Sequence, residues 1–342
     1  ISTDTGINLF EPGETPYENA QFLLFLCAVI KAVDDYQDLL RISVASAGND
    51  HRLGAGEAPP AIISIFLGSE LSEILEAIEN DENYDTKQKD LLRVGVHTLP
   101  KFPKDTTDRN RTSPFAFTGN KFEFRMLGSA TSISFTNAVV NTAVAESLRL
   151  FADRLETSPD FEKDLHELIK ETITNHKRII FNGDGYDDSW IKEAEKRGLS
   201  NLRTTPEALA HMLDEKNVEL FETHKVFSLT ELQARTEVLL ENYCKIINIV
   251  ALTMLDMARK GILPAMSKYS GELTVTAREK SALIGKSNAK YEIEQVKMFS
   301  NWIKTAYEVA ERLDENLLKS KSIKNMSSLA EFYRVYILED MK

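Results

Sequence analysis

Two cysteines in 342 residues rule out a disulfide framework. Cys27 and Cys244 each sit among apolar neighbours and read as buried, reduced thiols. Basic charge is also scarce. With 41 Lys and Arg against 53 Asp and Glu, the formal charge is -12, and generic nucleic-acid binding, which needs a basic surface to release counterions, is not expected. No apolar run comes near the ~20 residues that span a bilayer. The longest, Phe22 to Ala28, is too short and charge follows soon after, so no membrane segment is expected. A Walker-type phosphate loop and a G-x-S-x-G elbow are both missing, which leaves nucleophilic acyl chemistry without support. The six histidines are scattered without metal spacing and read as structural, although His51 lies inside a loop where it could bond a ligand. The chain opens on Ile1 rather than Met and has no signal peptide, so it reads as a piece of a longer, cytoplasmic polypeptide.

What is present is the composition of a folded globular protein, 42% hydrophobic and 27% charged. The first third predicts mixed elements. Thr15-Pro16-x-Glu18 resembles a helix start, and Phe22, Phe25, Leu26, Val29, Ile30 and Val33 recur with helical period, which predicts a helix within residues 14–40. Ile42 to Ala47 alternates like a short strand. Ala61 to Leu67 is β-branched and apolar, as a buried strand would be. An amphipathic helix is expected over Ser69 to Asn80, a polar loop over 81–90, and an extended stretch over Val94 to Leu99. Phe115–Phe117 and Phe122–Met126 look like strands joined by a turn at Thr118-Gly119-Asn120-Lys121.

From about Phe135 nearly everything reads as helix. Helices are expected over 135–156, 160–178, 188–196 and from Thr204-Thr205-Pro206, with a turn at Asn182-Gly183-Asp184-Gly185. Asp184, Asp187 and Asp188 lack the pattern of an EF-hand loop and read as turn and cap residues. Ser228-Leu229-Thr230-Glu231 matches a capping box. The helix it opens should run to Lys260 and stop at Gly261, with Pro264 beyond. A second apolar stripe over 287–320 makes these two long helices expected antiparallel partners. The fold class is α+β, with an α/β domain over 1–134 and a helical region over 135–342.

The chemistry concentrates between Asn49 and Arg125. In Arg52-Leu53-Gly54-Ala55-Gly56-Glu57-Ala58-Pro59-Pro60 the glycines permit a tight turn and the prolines stiffen its exit. Arg52 could grip a carboxylate with its planar fork, and Glu57 could take a proton from a substrate. The same residues could equally form a solvated surface loop. Arg109 and Arg111, two apart in a loop, suit phosphate oxygens or a plain basic loop. If Lys121 to Arg125 is a strand, Lys121, Glu123 and Arg125 share one face and Phe122 and Phe124 the other. The apolar face would then pack on helices while the charged face lines a cavity, where Glu123 could ligate Mg²⁺. An edge strand with a cross-strand ion pair is the other reading. Arg109, Arg111, Lys121 and Arg125 would make a basic pocket in an acidic protein.

Taken together, His51 to Ser64, Asn110 to Arg125, Asn182 to Tyr186 and the helical tail resemble glutamine synthetase, in its large type III form. The resemblance covers essentially the whole chain. It implies that residues 1–134 are the C-terminal part of a β/α catalytic domain. It also implies ATP-dependent ligation of ammonia to the side chain of L-glutamate through γ-glutamyl phosphate, with Mg²⁺ or Mn²⁺, in a homo-oligomer, a dodecamer. By the same resemblance Arg52 binds the glutamate carboxylate and Glu57 deprotonates ammonium. Arg111 contacts phosphate and substrate oxygens, Lys121 the ATP phosphates, Glu123 the metal, and Arg125 the glutamyl group. Two departures stand out. The Arg52 to Glu57 loop is a residue shorter than in the commoner bacterial form, and Ala116 stands where that form has a second phosphate arginine. The family's other metal-binding residues would precede Ile1, so the piece alone is expected to be inactive. A related carboxylate-amine ligase and a non-catalytic assembly module are the alternatives.

Overall fold

A burial gradient along the first long helix organises the N-terminal fold. In the computed structural model, which describes residues 1–55, 58–82, 84, 91–92, 102–103 and 111–342, α1 spans Ala20–Asp35. Asn19 caps it by accepting from the Phe22 N–H at 3.0 Å. Leu26, Cys27, Ala28 and Ile30 are fully enclosed, as expected of a helix that is apolar on most sides. α1 carries two neighbours, α5 (Ile133–Glu156) and α6 (Phe161–His176), and Phe22 meets Phe117 of the sheet with ring centroids 5.9 Å apart. Burying each Leu or Ile here is worth about 1.5–3 kcal/mol. The predicted helix over 14–40 is thus real but interrupted. A short 3₁₀ turn at Pro16–Glu18 precedes it, and Tyr36 breaks it from α2 (Gln37–Ser43).

Ile42 to Ala47 is not a strand. α2 runs through Ser43, and α3 (Ala47–Arg52) follows almost at once. The apparent alternation came from small residues that are buried alongside the large ones, since Ser43 and Ala45 are as enclosed as Ile42 and Val44. Ser43 satisfies its hydroxyl on the Leu40 carbonyl at 2.7 Å, so a polar residue is tolerated facing inward.

The sheet is small. β1 (Ile65–Phe66) is followed by α4 (Ser69–Glu79), and β2 (Leu91–Leu92) pairs antiparallel with β3 (Phe102–Pro103). β4 (Phe115–Phe117) lies parallel to β1, with Ile65 opposite Phe115, and antiparallel to β5 (Phe122–Phe124), with Ala116 opposite Glu123. The hairpin matches its expected turn, closed by Thr118 N–H to the Lys121 carbonyl at 2.8 Å. The polar loop over 81–90 lies mostly, and Val94 to Leu99 wholly, outside the described residues. Most of the described chain is helix with few strands.

The next helices follow their local signals. α7 (Asp188–Lys196) is capped by Asp187, whose carboxylate accepts from the Ser189 N–H at 2.8 Å. That bond holds the Asp187 carboxyl below its usual range. α8 (Thr205–Leu209) and α9 (Glu215–Thr223) complete the unit. The Ser228–Glu231 box forms as expected, with Glu231 accepting from the Ser228 N–H at 2.8 Å. Both thiols are buried.

Two units divide the chain, Ile1–Gln233 and Ala234–Lys342. In the second, the expected stop at Gly261 does not occur. α10 (Leu229–Met257) continues through a π-helical turn at Ala258–Ile262 into α11 (Leu263–Ile284). Gly261 ends a helix only where it takes a left-handed conformation, and its φ is not positive. Pro264 is accommodated because the π turn shifts bonding from i−4 to i−5, as in Leu263 N–H to the Ala258 carbonyl. α12 (Lys290–Ser320) therefore folds back on α11, and the expected antiparallel pairing involves this continuation. Tyr269 meets Phe299 at 5.3 Å, and Arg259 bonds Glu311 at 2.7 Å. α13 (Met326–Phe332), a second π turn at Tyr333–Ile337 and α14 (Leu338–Asp340) close the chain.

Two outcomes are expected. Gly261→Ala should stabilise the protein by about 0.5–1 kcal/mol, because a helical interior glycine with open space at its Cβ carries only an entropic cost. A drop in melting temperature would restore the helix stop. Glu146 is held below the ordinary carboxylate range by the hydrogen bonds it accepts from Arg149 and by one from His224 at 2.8 Å. Because its folded pKa is depressed, the stabilisation is present above the unfolded value and lost as pH falls through the folded one. Glu146→Gln should cost about 1–2 kcal/mol at neutral pH and flatten the acid limb of a melting-temperature profile.

Candidate functional site

Three chain segments meet at one end of the β4–β5 hairpin. The first is α3, which ends on Arg52. Its position follows from buried polar anchors. Asn49 donates to the carbonyls of Val44 at 2.8 Å and Met126 at 2.9 Å, and accepts from Arg52 at 3.3 Å. Arg52 also reaches the Leu127 carbonyl at 3.4 Å, so its guanidinium lies at the exit of β5. Asp50 pairs with the enclosed Arg41 at 2.7 Å and accepts from the Thr205 N–H at 2.5 Å. Burial nevertheless leaves the Asp50 carboxyl above its usual range. The loop beyond closes on itself. Gly54, at a φ of 77°, donates to the carbonyls of Ala58 and Pro59, which is where a glycine is required. Gly56 and Glu57 lie outside the described residues.

The second segment is the turn from Arg111 into β4. Arg111 is exposed, and Arg109 and Asn110 lie outside the described residues. The turn is held from two sides. The Pro114 carbonyl accepts from the Arg125 N–H at 2.7 Å, and Thr112 Oγ1 accepts from the Gly185 N–H at 2.8 Å. A Cβ on Gly185 would sit 2.6 Å from the Thr112 carbonyl oxygen and 3.3 Å from Pro59. Here the Asn182 to Tyr186 turn, the arginine turn and the exit of the Gly54 loop come together. Asn182 in turn bonds the Leu67 and Gly68 N–H groups at 3.1 Å each. Asp184 takes its expected turn role, accepting from the Tyr186 N–H at 2.9 Å.

The third segment is β5. Its alternation is as expected, with Phe122 and Phe124 against Phe115 at 5.3 and 5.6 Å and the charged residues on the other face. Glu123 is gripped from both sides, by Arg125 at 2.9 Å and by Thr118 at 3.2 Å, with Lys121 at 3.7 Å. The Arg125 hydrogen bond, followed by those of Thr118 and the nearby positive charges, lowers its pKa. Arg52, Arg111 and Arg125 belong to one end of the hairpin, while Lys121 stands at the turn end. Ala116 is fully enclosed in β4, so the phosphate arginine that the resemblance leaves unmatched has no surface position there.

An opening of about 860 Å³ lies on the apolar side of β5, between Phe115, Phe122, Phe124 and the Thr136, Val140 and Val144 side of α5. The aromatic face is therefore only partly packed on a helix.

Glu123, the residue the resemblance assigns to a metal, accepts from Arg125 and Thr118 and has Lys121 at 3.7 Å. A hard dication takes about six oxygen donors, so further donors would have to join Glu123 to hold one. Among the described residues, the cluster of three potential ligands is elsewhere, at Asp34, Asp35 and His176. Arg178 bonds Asp34 at 2.8 Å and Lys31 bonds Asp35 at 2.5 Å, so this group is an ion-pair network. The other described histidines with acidic partners, His166, His211 and His224, pair with Asp81, Asp214 and Glu146. His51 is exposed, and His97 lies outside the described residues.

Gly185→Ala should cost about 1–3 kcal/mol, since Thr112 backbone must move to admit the methyl group. Gly128→Ala, whose nearest neighbours would be 3.7 Å away, should be far milder. Equal melting temperatures for the two variants would refute the close joint at Thr112.

Residues 164–281 match the family model for the glutamine synthetase C-terminal domain. The chain is 50% identical over 268 residues to a type-3 glutamine synthetase of Dictyostelium discoideum, covering 78% of this chain and 36% of that protein. It is 42% identical over all 342 residues to a glutamine synthetase of Butyrivibrio fibrisolvens, covering 49% of it. Against a glutamine synthetase of Bacteroides fragilis (strain YCH46) it is 44% identical over 280 residues, which cover 80% of this chain and 38% of that protein. The chain spans about half the length of these relatives, or less. By these matches the chain is similar to glutamine synthetases along its length, and to the model of their C-terminal domain over residues 164–281.

Proposed function

We propose that the protein carrying this chain joins ammonia to the side-chain carboxylate of L-glutamate at the expense of ATP, through γ-glutamyl phosphate. Residues 1–134 would supply part of the catalytic domain. The observation that carries the reading is the convergence of Arg52 and Arg125 at the exit of β5, next to the Arg111 turn. Guanidinium groups so placed suit a substrate whose carboxylate and transferring phosphoryl both present planar or spread negative charge. Similarity to glutamine synthetases along the chain supports the same assignment.

In this proposal Arg52 and Arg125 hold glutamate oxygens, and Arg111 offsets charge that builds on the acyl phosphate. Lys121, exposed at the hairpin turn, serves the ATP phosphates. Glu57 is assigned the removal of a proton from ammonium. Glu123 keeps Arg125 and Lys121 extended along one face, a role its contacts support. As a ligand to Mg²⁺ or Mn²⁺ it would need donors from beyond the described residues, so no step is routed through a metal.

The test is ATP-dependent γ-glutamyl hydroxamate formation by the intact protein, repeated with ammonia and a panel of primary amines. Glu57→Ala should lower kcat with ammonia by about 10²–10⁴-fold, and Arg52→Ala should act mainly on KM for glutamate. Unchanged kinetics in both variants would defeat the assignment. A preference for another amine over ammonia would move the protein to a related ligase.

A further inference from the structure

A short turn from the helical part of the chain ends inside the candidate site. Asn182 to Tyr186 lies between α6 and α7, yet its tip touches two segments that precede it by 73 residues or more. Both ends of the turn are fixed. On the near side Phe181 donates its N–H to the Ile65 carbonyl of β1 at 2.8 Å. Its ring stacks on buried Trp190 at 3.7 Å, and Arg197 covers the pair while donating to the Ile180 carbonyl at 2.7 Å. Asn182 accepts from the Leu67 and Gly68 N–H groups and donates to Ser72 of α4 at 2.7 Å. On the far side α7 begins at once, capped by Asp187. A turn held so closely transmits a displacement instead of absorbing it.

Gly185 is the one buried residue of this turn, between exposed Asp184 and Tyr186. Its φ is not positive, so backbone conformation does not call for glycine. Space does. A Cβ there would meet the Thr112 carbonyl oxygen at 2.6 Å and Pro59 Cβ at 3.3 Å, and the Gly185 N–H bonds Thr112 Oγ1 at 2.8 Å. Thr112 follows Arg111. Pro59 closes the loop after Arg52, its carbonyl accepting from the Gly54 N–H at 3.0 Å. Gly185 thus fills the gap between the Arg111 turn and the exit of the Arg52 loop. The two contacts are unequal. Backbone at 2.6 Å has to move, while a side-chain carbon at 3.3 Å need give only a few tenths of an ångström. A change at Gly185 is therefore passed chiefly to Arg111.

We propose that Gly185 is a positioning residue for the ligation reaction. It spaces the Arg111 turn from the Pro59 exit and so sets Arg111 against the transferring phosphoryl. This role rests on the ATP-dependent ligation proposed above. It adds that part of the site's geometry is dictated from the helical region, by a residue that never meets substrate.

The test is γ-glutamyl hydroxamate formation by the intact protein, with melting temperature followed in parallel. Gly185→Ala should lower kcat by about 10–10²-fold, the size expected of a misplacement near 1 Å, and leave KM for glutamate nearly unchanged. Arg111→Ala should lower kcat as well. Adding Gly185→Ala to it should cost little more, since a spacer that acts through Arg111 has nothing left to displace. Thr112→Val removes the acceptor without adding bulk and should also lower kcat, whereas Thr112→Ser should keep it. Ser228→Ala, which loses a helix cap away from the site, should lower the melting temperature and leave kcat and KM at wild type. A folded Gly185→Ala protein with wild-type kcat overturns the proposal, and so does an additive loss in the double variant, the mark of a merely structural role. If Gly185→Ala does not fold, wild-type kcat in Thr112→Val overturns it instead. If the wild type forms no hydroxamate from glutamate, or Arg111→Ala stays fully active, the ligation reading itself fails and this role falls with it.

Discussion

The buried carboxamide of Asn49 is the constraint on which the candidate site depends. It is enclosed, so each unmade bond would cost about 1–3 kcal/mol. Its two N–H bonds tie the carbonyl before α3 to the carbonyl after β5, and its oxygen takes one bond from Arg52. One side chain thereby fixes a helix, a strand exit and a guanidinium together. Neighbouring Asp50 does the same toward the other side, holding Arg41 of α2 and the first turn of α8. α3 is only six residues long and would not persist alone, since short helices are unstable without tertiary support. These two consecutive polar residues supply that support, and Arg52 follows two positions later.

The same logic joins the rest of the site. Thr112, Gly185 and Asn182 contribute no charge, yet they decide where the charged segments sit. Gly185 is needed because backbone passes so close to Thr112, and Asn182 fixes the turn by bonding the amides at the end of β1. The positive residues project from a frame of neutral side-chain-to-backbone bonds. Arg125 is further restrained by Glu123, which leaves its guanidinium pre-positioned and costs less entropy when a ligand is bound.

How much of this was legible in the sequence depends on the range of the cause. Asp187 capping α7, the Ser228–Glu231 box and the Thr118–Lys121 turn are set within four residues, and each appears where its residues predict. The alternation of Lys121 to Arg125 is equally local. Asn49 to Met126 and Thr112 to Gly185 span 77 and 73 residues, and nothing in either segment announces the other. The misreadings have the same origin. Ile42 to Ala47 has the period of a strand, but it is the junction between α2 and α3, where Ser43 and Ala45 are buried beside Ile42 and Val44. Gly261 and Pro264 have the composition of a helix end, but a π turn absorbs the missing proline N–H and leaves the glycine right-handed. Residue type alone does not distinguish a stop from an accommodated defect.

Charge placement carries the functional argument further than charge amount. With a net charge of -12, the protein as a whole repels the anions that the candidate site is proposed to hold. A local positive field must then be built by proximity, and the β5 exit does this with arginines anchored by carbonyls and one carboxylate.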